Sequence, residues 1–301
     1  MECREAGAGK ILNLPQNPES LLLGDPLGRD LVLTDADFER ICQLIYQRAG
    51  IVLAANKREM VYGRLAKRLR LHGISHFSEY LERLARQPAA REWEAFTNAL
   101  TTNLTAFFRE PHHFPLLAEH VAGRREPVRI WCAAASTGEE PYSIAMTLIE
   151  ALGPQLASQA RIVASDIDSD ALAKARTGVY PLKQVLELDE QRVKRFFLKG
   201  SGGREGLARV RPELMNMIDF RQLNLHAPRW DLNGPFDAIF CRNIMIYFDK
   251  PSQTRILKRF VSYLKDDGLL FTGHSENFTY LCDDFRLRGH TVYTLAHKPK
   301  V

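Results

Sequence analysis

The sequence predicts an α/β protein in two parts: an all-helical N-terminal domain, then a Rossmann-like domain carrying a small antiparallel β insertion. Three observations predict it. Val128 to Leu152 reads as a buried strand, a turn of small residues and an apolar helix, the opening unit of a nucleotide-type sheet. Arg161–Asp166 and Pro235–Cys241 repeat the buried-strand pattern. Ahead of them, residues 34–100 carry helical spacings.

The whole chain sets bounds first. At 301 residues it is long enough for two domains, and 45% hydrophobic with 26% charged residues is ordinary for a soluble protein. No apolar run reaches membrane-spanning length and no signal-peptide core opens the chain, so a cytoplasmic protein not inserted in a membrane is expected. Cys3, Cys42, Cys132, Cys241 and Cys282 form no C-x-x-C pair, which suits a reducing compartment with neither a disulfide framework nor a zinc site. A net charge of +5 is too mild to name nucleic acid as a partner.

Residues 1–33 are rich in Gly, Pro and Asn and read as a loose tail. Thr34 is a plausible N-cap with acids in the following turn; Phe38, Ile41, Cys42 and Ile45 give helical spacing up to Gly50. A second helix, about Ala55 to Leu71, turns Val61, Leu65 and Leu69 inward. Lys57, Arg64, Lys67 and Arg68 fall on its neighbouring face. That face has two readings: a solvated surface, or a docking surface for an acidic partner. Further helices are expected at Ser78–Arg86 and Arg91–Leu100.

In the opening unit, Glu139 and Glu140 occupy the first helical turn. They satisfy the field that would attract a pyrophosphate, and the G-x-G-x-x-G spacing is missing. A ligand with cationic groups, such as S-adenosylmethionine, fits better. Asp166 ends the second strand where such folds place a ribose-binding carboxylate; Asp168 and Asp170 follow, and either could cap the next helix. Residues of about 182–222 break the rhythm: Arg195–Leu198, Leu207–Val210 and Ile218–Arg221 read as strands of an antiparallel insertion around a glycine-rich turn, Gly200–Gly206. After the strand at Pro235–Cys241, Arg242 and Asn243 stand at the ligand-binding edge.

The chain resembles the CheR chemotaxis receptor methyltransferases. The residues that carry this are TTNLTAFFRE at 101–110, AAASTGEEPYS at 133–143, ASDID at 164–168, FDAIFCRNIMIYFDK at 236–250 and GLLFTGHSENF at 268–278. The resemblance runs from about residue 34 to the C-terminus. It implies a helical receptor-recognition domain at 34–100 and a class I S-adenosylmethionine-dependent methyltransferase domain at 101–301. It also implies methyl transfer to receptor glutamates, with S-adenosylhomocysteine as the other product. The cofactor set implied is Asn103, Thr105, Arg109, Glu140, Asp166, Asn224, Leu225, Arg242 and Asn243, with Tyr247 near the transferred methyl and Arg109 and Tyr247 as the catalytic candidates. Methyl-accepting chemotaxis receptors are the implied partners. Arg64, Lys67 and Arg68 would meet their acidic methylation helices, and the loop of Gly202 and Gly203 would dock a receptor C-terminal peptide. A monomer is expected.

The residues themselves keep blander readings in play. Arg109 could equally serve a surface acid, and a tyrosine such as Tyr247 is often a core aromatic. His112, His113 and His274 are expected to pack or bond locally, because a glutamate side chain with a pKa of about 4.3 is already an anionic nucleophile near neutrality and needs no general base. Two other function classes share the donor fold. A nucleic-acid methyltransferase would be expected to carry an aromatic clamp where Ile244-Met245 stands; a receptor-binding adaptor would not need complete donor-site motifs.

Overall fold

In the computed structural model, residues 31–87 and 91–296 are described. All but the last three residues of the expected tail at 1–33 therefore lie outside the described residues. Helix α1 (Asp35–Ala49) begins at a capping box, in which Thr34 accepts from the Asp37 backbone and Asp37 accepts from that of Thr34. Gly50 ends it in the left-handed conformation, φ 72°. After one 3-10 turn come α2 (Arg58–Leu71), α3 (Phe77–Arg86) and α4 (Glu92–Leu100). Ile41, Ile45, Val61, Leu65, Leu69, Phe77 and Phe96 close their shared core.

The second part runs α5 (His113–Val121), β1 (Arg129–Cys132), α6 (Glu139–Ala157), β2 (Arg161–Asp166) and α7 (Ser169–Thr177). It continues with β3 (Val179–Pro181), α8 (Leu182–Val185), α9 (Glu190–Phe196), β4 (Phe197–Lys199), β5 (Leu207–Val210) and α10 (Pro212–Met215). Last come β6 (Ile218–Gln222), β7 (Phe236–Cys241), α11 (Lys250–Val261), β8 (Leu264–Thr272), β9 (Phe285–Gly289) and β10 (Val292–Leu295). The main sheet has seven strands in the order β6-β2-β1-β7-β8-β10-β9. The first five are parallel; β10 and β9 add on antiparallel.

Alternate residues of the central strands feed different cores. Ile130 and Cys132 of β1, with Ala238 and Phe240 of β7, pack with α5 and α6; Trp131 and Ile239 pack with Trp230 and Phe260 of α11's side. A period of two with both faces buried is what a parallel sheet between helices requires. At the amino end of β7, Asp237 is held by Arg124 at 2.6 Å, Lys265 at 2.9 Å and the Arg129 backbone N–H at 2.8 Å.

The insertion differs from the sequence reading in two ways. Its three strands are β3-β5-β4, and the strand expected within it at Ile218–Arg221 is β6, paired parallel with β2 on the main sheet. Ile218 and Phe220 pack against the main core, so the apolar faces of β6 belong there. Its place is taken by Val179–Pro181, too short to announce itself by alternation. Arg195 and Phe196 close α9 and do not start a strand: Asp189 caps that helix by accepting from the Gln191 and Arg192 N–H groups, which commits the segment to helix up to the buried Phe196. The antiparallel sheet thus spans residues 179–210, where about 182–222 was expected.

Candidate functional site

The carboxyl ends of β1, β2 and β7 meet a cavity of about 410 Å³, within the range of about 300–1,000 Å³ usual for small-molecule sites. Asn103, Thr105, Arg109, Glu140, Asp166, Asn224, Leu225, Arg242, Asn243 and Tyr247 all line it. Residues more than a hundred positions apart are thereby brought together. The helical part supplies wall as well, through Ile51, Val52, Leu53, Lys57 and Met60. That junction is hydrogen-bonded: the Val52 N–H donates to the Tyr247 carbonyl at 2.8 Å, the Asn224 amide to the Arg48 carbonyl at 2.7 Å, and the Tyr46 hydroxyl to Asp249 at 2.8 Å.

The two acids after β2 separate cleanly. Asp168 caps α7 with one oxygen and accepts from Thr101 and Asn103 with the other, both at 2.6 Å. Asp166 accepts one backbone N–H on each oxygen, from Ser136 at 2.7 Å and Asp168 at 2.9 Å. Lone pairs therefore remain on Asp166 for two ribose hydroxyls. Burial pushes its carboxyl up to about 6 against those backbone bonds.

Arg242 anchors the other wall. It donates to Glu140 at 2.9 Å and to the Arg109 carbonyl, and lies 3.5 Å from Glu110. Burial raises the Glu140 carboxyl while Arg242 pulls it down. Glu140 thus already has a protein counter-charge, a partner that sequence spacing did not supply. Asn243 is left-handed, φ 56°, an uncommon conformation held by Glu276, which accepts from the N–H groups of Asn243 at 3.0 Å, Met245 at 2.7 Å and Gly273 at 2.6 Å. One oxygen of Glu110 accepts from the Asn243 amide at 3.1 Å and from His274 Nδ1 at 3.0 Å. Burial alone would raise Glu110; the bonds from His274 and Asn243 and the charge of Arg242 hold it down at about 2. The sequence reading gave neither Glu110 nor Glu276 a role. The available signal was a lone carboxylate closing each apolar or glycine-bearing motif, FFRE and GHSE.

Arg109 donates to the Leu104 carbonyl at 3.1 Å, and its guanidinium lines the cavity. Among the described residues it has no carboxylate partner. His113 is fully buried, with Nε2 2.9 Å from the His290 carbonyl; burial and Arg242 push its imidazole down to about 4. It packs and bonds locally.

Of the basic residues singled out on α2, Arg64 and Arg68 bond within the helical part. Arg68 grips Glu92 at 3.0 and 2.5 Å, and Glu92 also accepts from Tyr80 at 2.7 Å. Arg64 donates to the carbonyls of Ala99 and Thr101. Both are half-buried fasteners of α4 and the strand-like exit toward Asn103, because long guanidinium side chains reach the polar ends left by the next helix. Lys67 alone of the three is exposed. In the insertion, Gly202 and Gly203 form an exposed 3-10 turn with open space where a Cβ would stand. Gly200 needs glycine because a Cβ there would strike the Arg204 carbonyl, and Gly202, φ 57°, because its backbone is left-handed.

Two family patterns match. The one described as "CheR methyltransferase, all-alpha domain" matches residues 36–101, and "CheR methyltransferase, SAM binding domain" matches residues 103–294. Among curated proteins, the chemotaxis protein methyltransferase of Salmonella typhimurium is 56% identical over 284 residues, 94% of this chain and 98% of its own. That of Klebsiella aerogenes is 59% identical over 270 residues, covering 90% and 93%. Chemotaxis protein methyltransferase 2 of Pseudomonas aeruginosa is 50% identical over 286 residues, covering 94% and 100%. With both of its parts matched by family models and by relatives over most of its length, this chain belongs to the CheR family of S-adenosylmethionine-dependent methyltransferases.

Proposed function

We propose that this protein methylates glutamate side chains of methyl-accepting chemotaxis receptors, forming γ-methyl esters. The observation that carries the reading is the cavity at the strand ends, where Asp166 keeps acceptors for a ribose diol and eight motif residues converge with Asn224 and Leu225. The donor, when bound, supplies an electrophilic methyl on a sulfonium leaving group. The chain's own task is alignment and exclusion of water. Asp166 orients the ribose. Glu140 and Arg242 together set the charge beside it, and Arg242 fixes the main chain of Arg109. Asn103 and Asn243 frame the opening, held by Asp168 and Glu110. Arg109 and Tyr247 line the same cavity; Arg109 would grip the incoming carboxylate and Tyr247 would orient the donor.

On this reading the exposed Lys67, with Lys57 at the cavity, carries the attraction for acidic receptor helices, while Arg64 and Arg68 shape the face behind it. The insertion has open edges at β3 and β4, with Val179 and Leu198 exposed. Such an edge can take a receptor C-terminal peptide as an added strand. The protein acts as a monomer on the cytoplasmic part of the receptor, and no helix of the described residues is long and apolar enough to cross a membrane.

The test is transfer from methyl-labelled donor to receptor-rich membranes. An ester releases its label as volatile methanol in mild base, whereas N-methylated or nucleic-acid products keep it. Base-stable label, or label in nucleic acid, would sink the glutamate reading.

A further inference from the structure

We propose that Glu110, His112 and His113 form a binding site for a divalent transition-metal ion, zinc above all, where α5 begins beside the donor cavity. Each residue brings one ligand atom, and these atoms lie within 4.8 Å of one another. Two of them are arranged as if to receive a cation. His113 Nε2 sits 2.9 Å from the His290 carbonyl, an atom that can only accept, and the Thr291 hydroxyl donates to that same carbonyl. The ring proton therefore belongs on Nε2, and Nδ1 presents its lone pair. Glu110 Oε2 faces that lone pair at 3.8 Å. Both atoms are buried and neither has a hydrogen-bond partner. The His113 side chain is 0% exposed and that of Glu110 10%.

Two acceptors turned toward each other in a dry position, one without a partner and the other met only by the Arg242 guanidinium at 3.5 Å, are costly to keep, so the pair calls for an explanation. A zinc ion bonds to imidazole nitrogen or carboxylate oxygen at about 2.0–2.2 Å, so two such bonds span the gap with an open angle. His112, exposed on the solvent side, closes a third position, and a water would take the fourth. Two imidazoles and one carboxylate suit zinc and its first-row neighbours and disfavour calcium or magnesium, which prefer all-oxygen shells.

The surrounding charges allow it. Arg242 lies 3.5 Å from Glu110 Oε2 and would repel a cation, but its own charge is met by Glu140 at 2.9 Å. The carboxylate is also divided in its duties: Oε1 already serves Asn243 and His274, so an ion on Oε2 leaves those bonds in place. Its effect would be to pin the first turn of α5 to the loop that carries Asn243.

The experiment uses the untagged, full-length protein, stripped by chelator and titrated with Co²⁺, whose visible bands report a low-coordinate nitrogen–oxygen field, then with Zn²⁺ in competition. One ion per chain is expected. Glu110→Gln and His112→Ala should each weaken binding by roughly 100-fold or more, since loss even of a supporting residue commonly costs 10–100-fold. Substituting His113 is avoided because its buried ring supports the fold; the folded wild type should instead show its imidazole resonances move on adding Zn²⁺. No ion taken up by the folded wild type overturns the proposal. So does binding that survives His112→Ala and is removed by His274→Ala.

Discussion

The two ends of β7 are built from the same materials and used differently. Asp237, near the amino end, is 1% exposed in its side chain and is compensated by Arg124, Lys265 and a backbone N–H. Arg242, just past the carboxyl end, is also 1% exposed and faces two carboxylates, Glu110 and Glu140. Yet Arg242 Nε and Glu110 Oε2 are buried without a hydrogen bond. One cluster is a closed fastening. The other keeps polar capacity in reserve, which is what a site that must later receive a charged ligand requires.

The widest separation should come from emptying the fastening. Asp237→Ala removes the buried carboxylate that holds half-buried Arg124 and Lys265 and a backbone N–H, leaving Arg124 only Asp267, and is expected to lower unfolding free energy by about 3 kcal/mol. Donor-product affinity by calorimetry, measured where the variant is still folded, should stay unchanged; a large loss would mean that the two ends are coupled through the strand. Asp166→Ala at the cavity should do the opposite, weakening S-adenosylhomocysteine binding by about 1–3 kcal/mol with a much smaller change in denaturation midpoint.

Titration sharpens the same contrast. Because burial holds Asp166 near 6, its carboxylate is lost as pH falls through that value. Donor affinity should then drop by up to about tenfold per pH unit, and Asp166→Asn should flatten the profile. For folding, the sign is reversed: the raised carboxyl favours the native chain below its ordinary 3.8, and this is lost as pH climbs through about 6. Glu110, held near 2, stabilises above its ordinary 4.5 and fades as pH falls toward 2. The smallest effect is expected at Lys67→Glu. Stability should change by less than about 0.5 kcal/mol, while receptor methylation slows and loses part of its salt dependence. A rate and salt response equal to wild type would make that helix face plain surface.

Legibility tracked how local each signal was. The N-cap at Thr34, the stop at Gly50 and the inward row Val61, Leu65, Leu69 depend on neighbours in sequence, and the fold follows them. The strand, small-residue turn and helix read at Val128–Leu152 are β1 and α6 for the same reason. What escaped was relational. β6 alternates like an insertion strand, and only its parallel partner β2 assigns it to the main sheet. Arg64 and Arg68 read as free cations because Glu92 and the carbonyls of Ala99 and Thr101 are 24 to 37 positions away. Glu110 and Glu276 were silent because a carboxylate's work is set by the donors that fold against it.

The cavity wall shared between the helical part and the sheet has a consequence for mass action. A ligand that touches both sides stabilises their junction by RT ln(1 + [L]/Kd), about 2.7 kcal/mol at a hundredfold excess over Kd. The bonds from Val52 to Tyr247 and from Asn224 to Arg48 then open less often as donor accumulates. Susceptibility of the junction to proteolysis, or its amide exchange rate, would then fall as methyl donor is added.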